Sequence, residues 1–354
     1  MKKTTISRRS FLKAAGLAAA AASLALTGCS SEGASSAAGS GAAGGAVYKV
    51  GIVNYVDDAS LNQIVASLEA RLDEAGAERG VTFNYADYYA NAQADQSNLN
   101  QIGAYLMADG VDVIVAVATP SASTMLAAVE DTDIPVIYSA VTDPVGAGFD
   151  GLANITGTSD ALDTEAIMNL ILAVNPDIDQ IGLLYDLGQD SSTQAIADAK
   201  AFCEAHGIAA IEKNGTTTAE VQMAVEALAA SGVKAVFTPT DNTIMTAELA
   251  IYETLIEAGI QHYTGADSFA LNGAFMGYGV DYVQLGQATA DMVVEHLCDG
   301  VAIADMPYRT FDNGTATINT ETCAALGLDL AAVKAAFEPY CTAVEEITTA
   351  EEFA

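Results

Sequence analysis

Tryptophan is absent from this 354-residue chain, and positive charge is scarce: 13 Lys and Arg stand against 46 Asp and Glu, with three His. Five of the basic residues (Lys2, Lys3, Arg8, Arg9 and Lys13) crowd the first 13 positions, so the remainder keeps eight against 46, a net charge near −38. Such a surface repels nucleic acid and anionic lipid, which excludes both as partners. An apolar fraction of 51% excludes disorder, and the length suits two domains.

The residues that carry common catalytic chemistry are also sparse. No G-x-S-x-G elbow and no G-x-x-x-x-G-K-[ST] loop occurs. His206, His262 and His296 are too far apart to pair at zinc spacing. With 46 carboxylates, acid pairs arise by chance and identify no acid–base couple. The chain is expected to be no enzyme and to carry no metal and no cofactor. Cys203, Cys298, Cys323 and Cys341 form no C-x-x-C. Buried thiols are expected, with a Cys323–Cys341 bridge as the alternative.

What is present begins with a targeting segment. "SRRSFLK" at 7–13 reads as a twin-arginine export signal. The 13 small or apolar residues that follow are too few to span a bilayer and suit a signal-peptide core. "LTGC" then resembles a bacterial lipobox, which would make Cys29 the lipidated first residue; the alternative is a cleaved signal followed by an unmodified cysteine. Residues 30–46 contain no bulky side chain before the final Ala and form a tether with a reach of roughly 20–25 Å. The expected product is an exported protein, lipid-anchored to the outer face of the cytoplasmic membrane.

From residue 47 onward, continuous apolar runs alternate with amphipathic stretches. "YKVGIVNYV", "VDVIVAVA" and "IPVIYSA" read as buried strands, and Leu61, Ile64, Val65, Leu68 and Leu72 share one helical face. This pattern argues for α/β architecture with parallel sheets covered on both faces. The pattern then repeats. "QIGLLYD" (180–186), "GVKAVFTPTDNT" (232–243) and "IQHYTGADSF" (260–269) echo "KVGIVNY" (49–55), "GVDVIVAVATPSAST" (110–124) and "IPVIYSAVTD" (134–143) in the same order. Two Rossmann-like lobes follow. The first is expected over 47–156 plus about 282–311. The second is expected over 157–281 plus about 312–354, with several chain crossings forming a hinge.

Ligands of open parallel sheets bind beyond the carboxyl ends of the strands. "SAVTDPVGAGFDG" (139–151) lies there, and Gly146, Gly148 and Gly151 spell G-x-G-x-x-G. The context of a dinucleotide turn is missing: six residues separate the strand from the first glycine, "LANITGTS" after it is β-like, and Asp143 and Asp150 would repel a pyrophosphate.

The strand-end loops "NAQADQSNLNQI" (91–102), "VAVATPSA" (115–122), "AVTDPVGAG" (140–148), "NITGTSD" (154–160), "PTDNT" (239–243) and "YGVDYVQLGQATADM" (278–292) resemble motifs of the ABC-transporter substrate-binding lipoproteins, in particular the TrpX-like tryptophan/tyrosine binders. The resemblance implies a type I periplasmic binding protein: two lobes closing on a ligand and docking, as a monomer, on a permease driven by an ATPase. The twin-arginine signal departs from the more usual secretory signal of that family.

The residues themselves bound the ligand. No arginine of the mature chain falls in a strand-end loop, which disfavours phosphate, sulfate or a dicarboxylate. Hydroxyls and amides suit a carboxylate: Thr119, Ser121, Ser139, Ala140 and Thr142 in the first lobe, each of which could instead cap a helix or shape a turn. An ammonium would want Asp241 first, then Asp267 and Asp281; each could instead cap the helix that follows, and capping is the preferred reading of Asp281. Asp143 belongs to the same candidate set. Asn54, Tyr55, Tyr185, Thr240, Asn242 and Tyr278 complete the candidate ligand-binding set. Tyr138, Phe269 and Tyr282 are further strand-end aromatics. A zwitterion with an aromatic or large apolar side chain fits best; a nucleoside, a sugar or another neutral metabolite, or a sensory role, is the alternative.

Overall fold

The computed structural model describes residues 45–311 and 313–353. The expected signal, Cys29 and nearly all of the tether lie outside the described residues.

The first sheet is built from β1 (Val47–Asn54), β2 (Thr82–Asn84), β3 (Tyr89–Asn91), β4 (Val113–Val117), β5 (Val136–Ser139) and β6 (Ile155–Ser159), with α1 (Ala59–Arg79), α2 (Gln96–Asp109) and α3 (Thr119–Ala128) between them. The chain then enters a second unit: α4 (Thr164–Val174), β7 (Gln180–Tyr185), α5 (Asp190–His206), β8 (Ala209–Asn214), α6 (Thr218–Ser231), β9 (Ala235–Thr238), α7 (Asn242–Glu257), β10 (Gln261–Thr264), α8 (Asp267–Leu271) and β11 (Met276–Gly279). It returns through α9 (Tyr282–Asp299) and β12 (Arg309–Thr310), and ends with β13 (Thr315–Asn319), α10 (Thr320–Ala325), α11 (Leu330–Phe337) and β14 (Ala343–Ile347).

The strand orders are β12-β6-β5-β4-β1-β2, with β3 also on β1, and β14-β13-β11-β10-β9-β7-β8. All pairings are parallel except β11 with β13. Strands β2-β1-β4-β5-β6 and β8-β7-β9-β10-β11 therefore repeat one topology, and the three echoed segments occupy matching places in it. The expected division at residue 156 falls inside β6. Pairing with β5 and β12 holds β6 in the first sheet to Ser159, so the crossing comes after it, at Asp160–Asp163.

Local chemistry sets the element ends. Asp58, Asp95, Asp163, Asp241, Asp281 and Asp329 each accept backbone N–H bonds at the starts of α1, α2, α4, α7, α9 and α11. Six of the acidic residues thus serve as helix N-caps, each worth about 1 kcal/mol. The segment "YADY" (85–88) separates β2 from β3.

One apolar core runs from the first sheet through α1 and α9 to the α6–α7 side of the second sheet. Another lies on the opposite face of the second sheet, built on Ile167, Ile171, Phe275 and Phe337. The carboxyl ends of both sheets face a common cleft between the lobes. All four described cysteines carry free thiols, Cys203 and Cys323 buried, Cys298 and Cys341 partly so.

Candidate functional site

The cleft is divided into three chambers. The innermost has a volume of about 20 Å³, room for roughly one water. Its walls come from both lobes: Ala118, Thr119, Ala140 and Thr142 at the ends of β4 and β5, Ser60 and Leu61 on α1, Tyr282 on α9, and Ser191, Thr240, Asn242 and Met245 opposite. Thr119 and Ser191 also line a mouth chamber of about 280 Å³ that includes Asp143 and Asp190. Asn242 also lines the other mouth, about 260 Å³, beside Tyr55, Asp186 and Gln189.

The lobes are drawn together by hydroxyl contacts. Ser60 Oγ donates to Asp267 Oδ1 at 3.0 Å, and the Thr142 and Thr240 hydroxyls meet at 3.0 Å. Within the first lobe, Thr142 also donates to Asp160 Oδ1 at 2.9 Å.

Two backbone positions shape this wall. Ala118 has φ 73° and ψ 155°, a combination that normally requires glycine, and Ala140 has φ 56°. Each costs of order 1–3 kcal/mol, and both line the inner chamber. Ala118 N–H donates to Ser139 O at 2.9 Å, so its unusual turn starts α3 at the cavity. Helix α3 has no side-chain cap, and neither has α5 across the cleft. Helix α8 also starts without a side-chain cap, but α3 and α5 are the two whose uncapped starts line the chamber, at Thr119 and Ser191. Both present uncapped backbone donors at the same chamber, a geometry that suits an anion.

The opposite charge comes from Asp160, at the end of β6. It is buried and lines the inner chamber. Burial pushes its carboxyl up to about 6, against stabilisation by Thr142 and Tyr282. Asp58 and Asp267 lie close by. Burial lifts Asp58 to about 7 and Asp267 to about 6, and mutual repulsion adds to the rise at Asp58. Among the described residues no Lys, Arg or His lines the three chambers.

The structure distributes the sequence-derived candidates unevenly. Thr119, Ala140, Thr142, Thr240 and Asn242 meet at the inner chamber, with Tyr55 and Asp143 at its mouths. Asp241 is adjacent but committed elsewhere. Its Oδ1 caps α7 through Thr243 and Ile244, and its Oδ2 accepts from Asp186 N–H and Ser192 Oγ, both at 2.7 Å. Ser139 lies under the wall, bonded to Thr289 at 2.8 Å. Asn54 and Ser121 are fully buried, and Asn54 Oδ1 and Ser121 Oγ lack partners among the described residues. Asp267 acts through Ser60. Tyr185 turns away, its hydroxyl on Glu212 at 2.7 Å, and Tyr278 packs in the second lobe's core. His262 is likewise internal, between Glu248 and Thr238.

Asp160, Ser60, Leu61, Ser191, Gln189 and Met245 are wall residues the sequence reading left unassigned. Asp160 ends the quoted segment "NITGTSD"; its position after a strand was a usable signal.

Residues 49–334 match the ABC transporter substrate binding protein family, and residues 5–25 match a twin-arginine translocation signal. The chain is 28% identical over 284 residues to a tyrosine-binding protein of Clostridioides difficile, covering 79% of this chain and 81% of that one. A Streptococcus pneumoniae ABC domain in complex with L-Trp superposes with TM-score 0.75 at 28% identity, over 84% of this chain and 100% of that one. A ligand-free, open substrate binding protein with adhesive properties from Clostridium difficile gives TM-score 0.63 at 26% identity, over 86% and 100%. At nearly equal identity, agreement is higher with the ligand complex than with the open form, in keeping with the interlobe contacts above. The fold is that of type I periplasmic binding proteins, the amino-terminal signal directs export, and the chain belongs to the ABC transporter substrate-binding protein family.

Proposed function

We propose that this protein captures an aromatic amino acid as its zwitterion and hands it to an ABC permease coupled to an ATPase. The observation that carries this reading is a small chamber with two uncapped helix N-termini and a buried carboxylate on its walls. The α3 and α5 ends, with the Thr119 hydroxyl, take the ligand carboxylate. Asp160, oriented by Thr142 and Tyr282, takes the ammonium. Leu61, Met245 and Tyr282 supply an apolar and aromatic surface for the side chain, worth ~0.5–1.5 kcal/mol for a ring pair. A chamber of about 20 Å³ cannot admit such a ligand while the lobes are shut, so binding begins from an open form. The named relatives, one a tyrosine-binding protein and one solved with L-Trp, support the ligand class.

The protein acts as a monomer held to the membrane by lipid on Cys29, which follows the small residues of "LTGC". Labelling with radioactive palmitate, and its absence in Cys29→Ser, checks the anchor.

A thermal-shift screen of the twenty amino acids tests the ligand. Tyrosine, tryptophan or phenylalanine at 100 times Kd should stabilise the protein by ~2.7 kcal/mol. A response to none of the twenty, with a response to a nucleoside or sugar in a metabolite panel, overturns the reading. Asp160→Asn should weaken the aromatic ligand by ~2–4 kcal/mol in calorimetry, since one charge of a buried pair is removed.

A further inference from the structure

One pair of titratable side chains lies deep in the second lobe and does not touch the cleft. Glu248 on α7 and His262 on β10 are 0% and 1% exposed. His262 Nδ1 stands 3.1 Å from Glu248 Oε1, with one proton between them whichever atom donates it. On the other side of the ring, Nε2 lies 2.8 Å from the Thr238 hydroxyl at the end of β9. Alternation along β10 turns His262 toward α7, while its neighbour Tyr263 enters the core on the opposite face. Phe269 on α8 meets the imidazole edge-on, with ring centroids 6.2 Å apart and planes at 80°.

Stability gives no reason for this pair. Both groups are withdrawn from water, and Glu248 Oε2 has no hydrogen-bond partner among the described residues. An orphaned buried oxygen is a cost, and two apolar side chains of similar volume would serve the core as well or better. What the pair supplies, and apolar packing does not, is direction. Apolar contacts hold a helix against a sheet without fixing its rotation, whereas hydrogen bonds set both distance and angle.

The elements fixed in this way carry the second lobe's cleft groups. Met245 lies on α7 about one turn before Glu248 and lines the inner chamber, and Asn242 opens the same helix. Thr238 leads through Pro239 to Thr240, whose hydroxyl meets Thr142 across the cleft. Strand β10 leads from His262 to the turn that places Asp267 against Ser60. The same region is tightened by Gly265 N–H, which donates to Thr238 O at 3.0 Å, and by Ser268 Oγ, 3.1 Å from Met245 Sδ. Three segments that reach the cleft at separate points thus share one buried junction, and both interlobe hydroxyl contacts depend on segments joined there.

We propose that His262 is a positioning residue for ligand capture. Through Glu248 and Thr238 it sets α7 and the ends of β9 and β10 in the one arrangement that presents Thr240, Met245 and Asp267 correctly to the first lobe. The inference rests on the amino-acid reading above for the choice of ligand only.

A double variant of the exported protein, His262→Leu with Glu248→Met, tests it, because it removes the hydrogen bonds together and leaves no buried polar group behind. Its Tm should equal or exceed that of the unaltered protein. Its affinity for tyrosine and tryptophan in calorimetry should nevertheless fall by about tenfold, the loss expected when about one molecule in ten holds the competent arrangement. Solution scattering of the ligand-free double variant should give a larger radius of gyration, as the closed form becomes less populated. Glu248→Gln, whose amide can still bond the imidazole, should keep affinity within about threefold. Unchanged affinity in the double variant overturns the proposal, since the pair then only fills the core. Failure of the double variant to fold also overturns it, since the pair is then needed for stability. If the unaltered protein binds neither amino acid, the ligand reading fails instead; scattering then decides the positioning role, and an unchanged radius of gyration overturns it.

Discussion

At the residue scale, the cleft is governed by carboxylates largely withdrawn from water. Burial is the leading cause in each case, lifting Asp58 to about 7 and Asp160, Asp241 and Asp267 to about 6. A carboxyl whose pKa is higher folded than unfolded binds its proton more tightly in the folded state. Its contribution to stability is fully present below the ordinary carboxylate range and declines as pH rises through about 6 to 7. The ligand-free protein should therefore show a falling Tm over that window. An ammonium against Asp160 favours the ionised carboxylate, so ligand uptake near pH 6 should release protons and apparent affinity should climb with pH. Calorimetry in two buffers of different ionisation enthalpy measures the release, and Asp160→Asn should diminish it. The backbone at Ala118 offers a second test. Glycine tolerates φ 73° with ψ 155° without a Cβ clash, so Ala118→Gly should raise stability by ~1 kcal/mol in chemical denaturation. An unchanged or lowered midpoint would mean that the turn carries no strain.

At the element scale, the same acidic side chain can serve a helix or a ligand, and sequence does not say which. "PTDNT" and "NITGTSD" both place an aspartate after a strand. Asp241 precedes α7 directly, so its oxygens are drawn to the first N–H groups of that helix and to the β7–α5 loop. Asp160 precedes a crossing to the other lobe, and the α4 cap falls instead to Asp163. Asp160 is thereby left at the chamber wall. Asp241→Ala should lower second-lobe stability by ~2–4 kcal/mol, since a cap and two further hydrogen bonds go together. Urea denaturation would show this as a lowered midpoint; a change under ~0.5 kcal/mol would refute it. The apolar runs and the helix-face spacing were legible because burial selects residue type along the chain. The aromatic assignments were not. Tyr55, Tyr185, Tyr278 and Tyr282 all end or follow strands, and which of them meets the cleft depends on strand twist and on what lies across the sheet.

At the scale of the whole molecule, one apolar core continues through both lobes, and a few hydroxyl contacts join them at the cleft. Ser60→Ala removes the bond to Asp267 and leaves that carboxylate unpaired beside Asp58. The closed population should drop, with a larger radius of gyration in solution scattering and a ligand affinity lower by ~0.5–1.5 kcal/mol. Unchanged scattering would show that closure rests on other contacts. The twin-arginine segment, the apolar periodicity and the repeated segments determined by themselves that this is an exported two-lobe α/β protein. Those properties depend on local order along the chain: a signal must be contiguous, and a buried strand must be apolar throughout. Tertiary structure alone decided that Asp160 rather than Asp241 faces the chamber, that α3 and α5 present uncapped ends to it, and that Thr238, His262 and Glu248 meet in one buried chain. Each is a matter of residues far apart in sequence converging in space, and the physical reason is the same throughout. A side chain's partner is set by the geometry around it, which the rest of the chain must fold to supply.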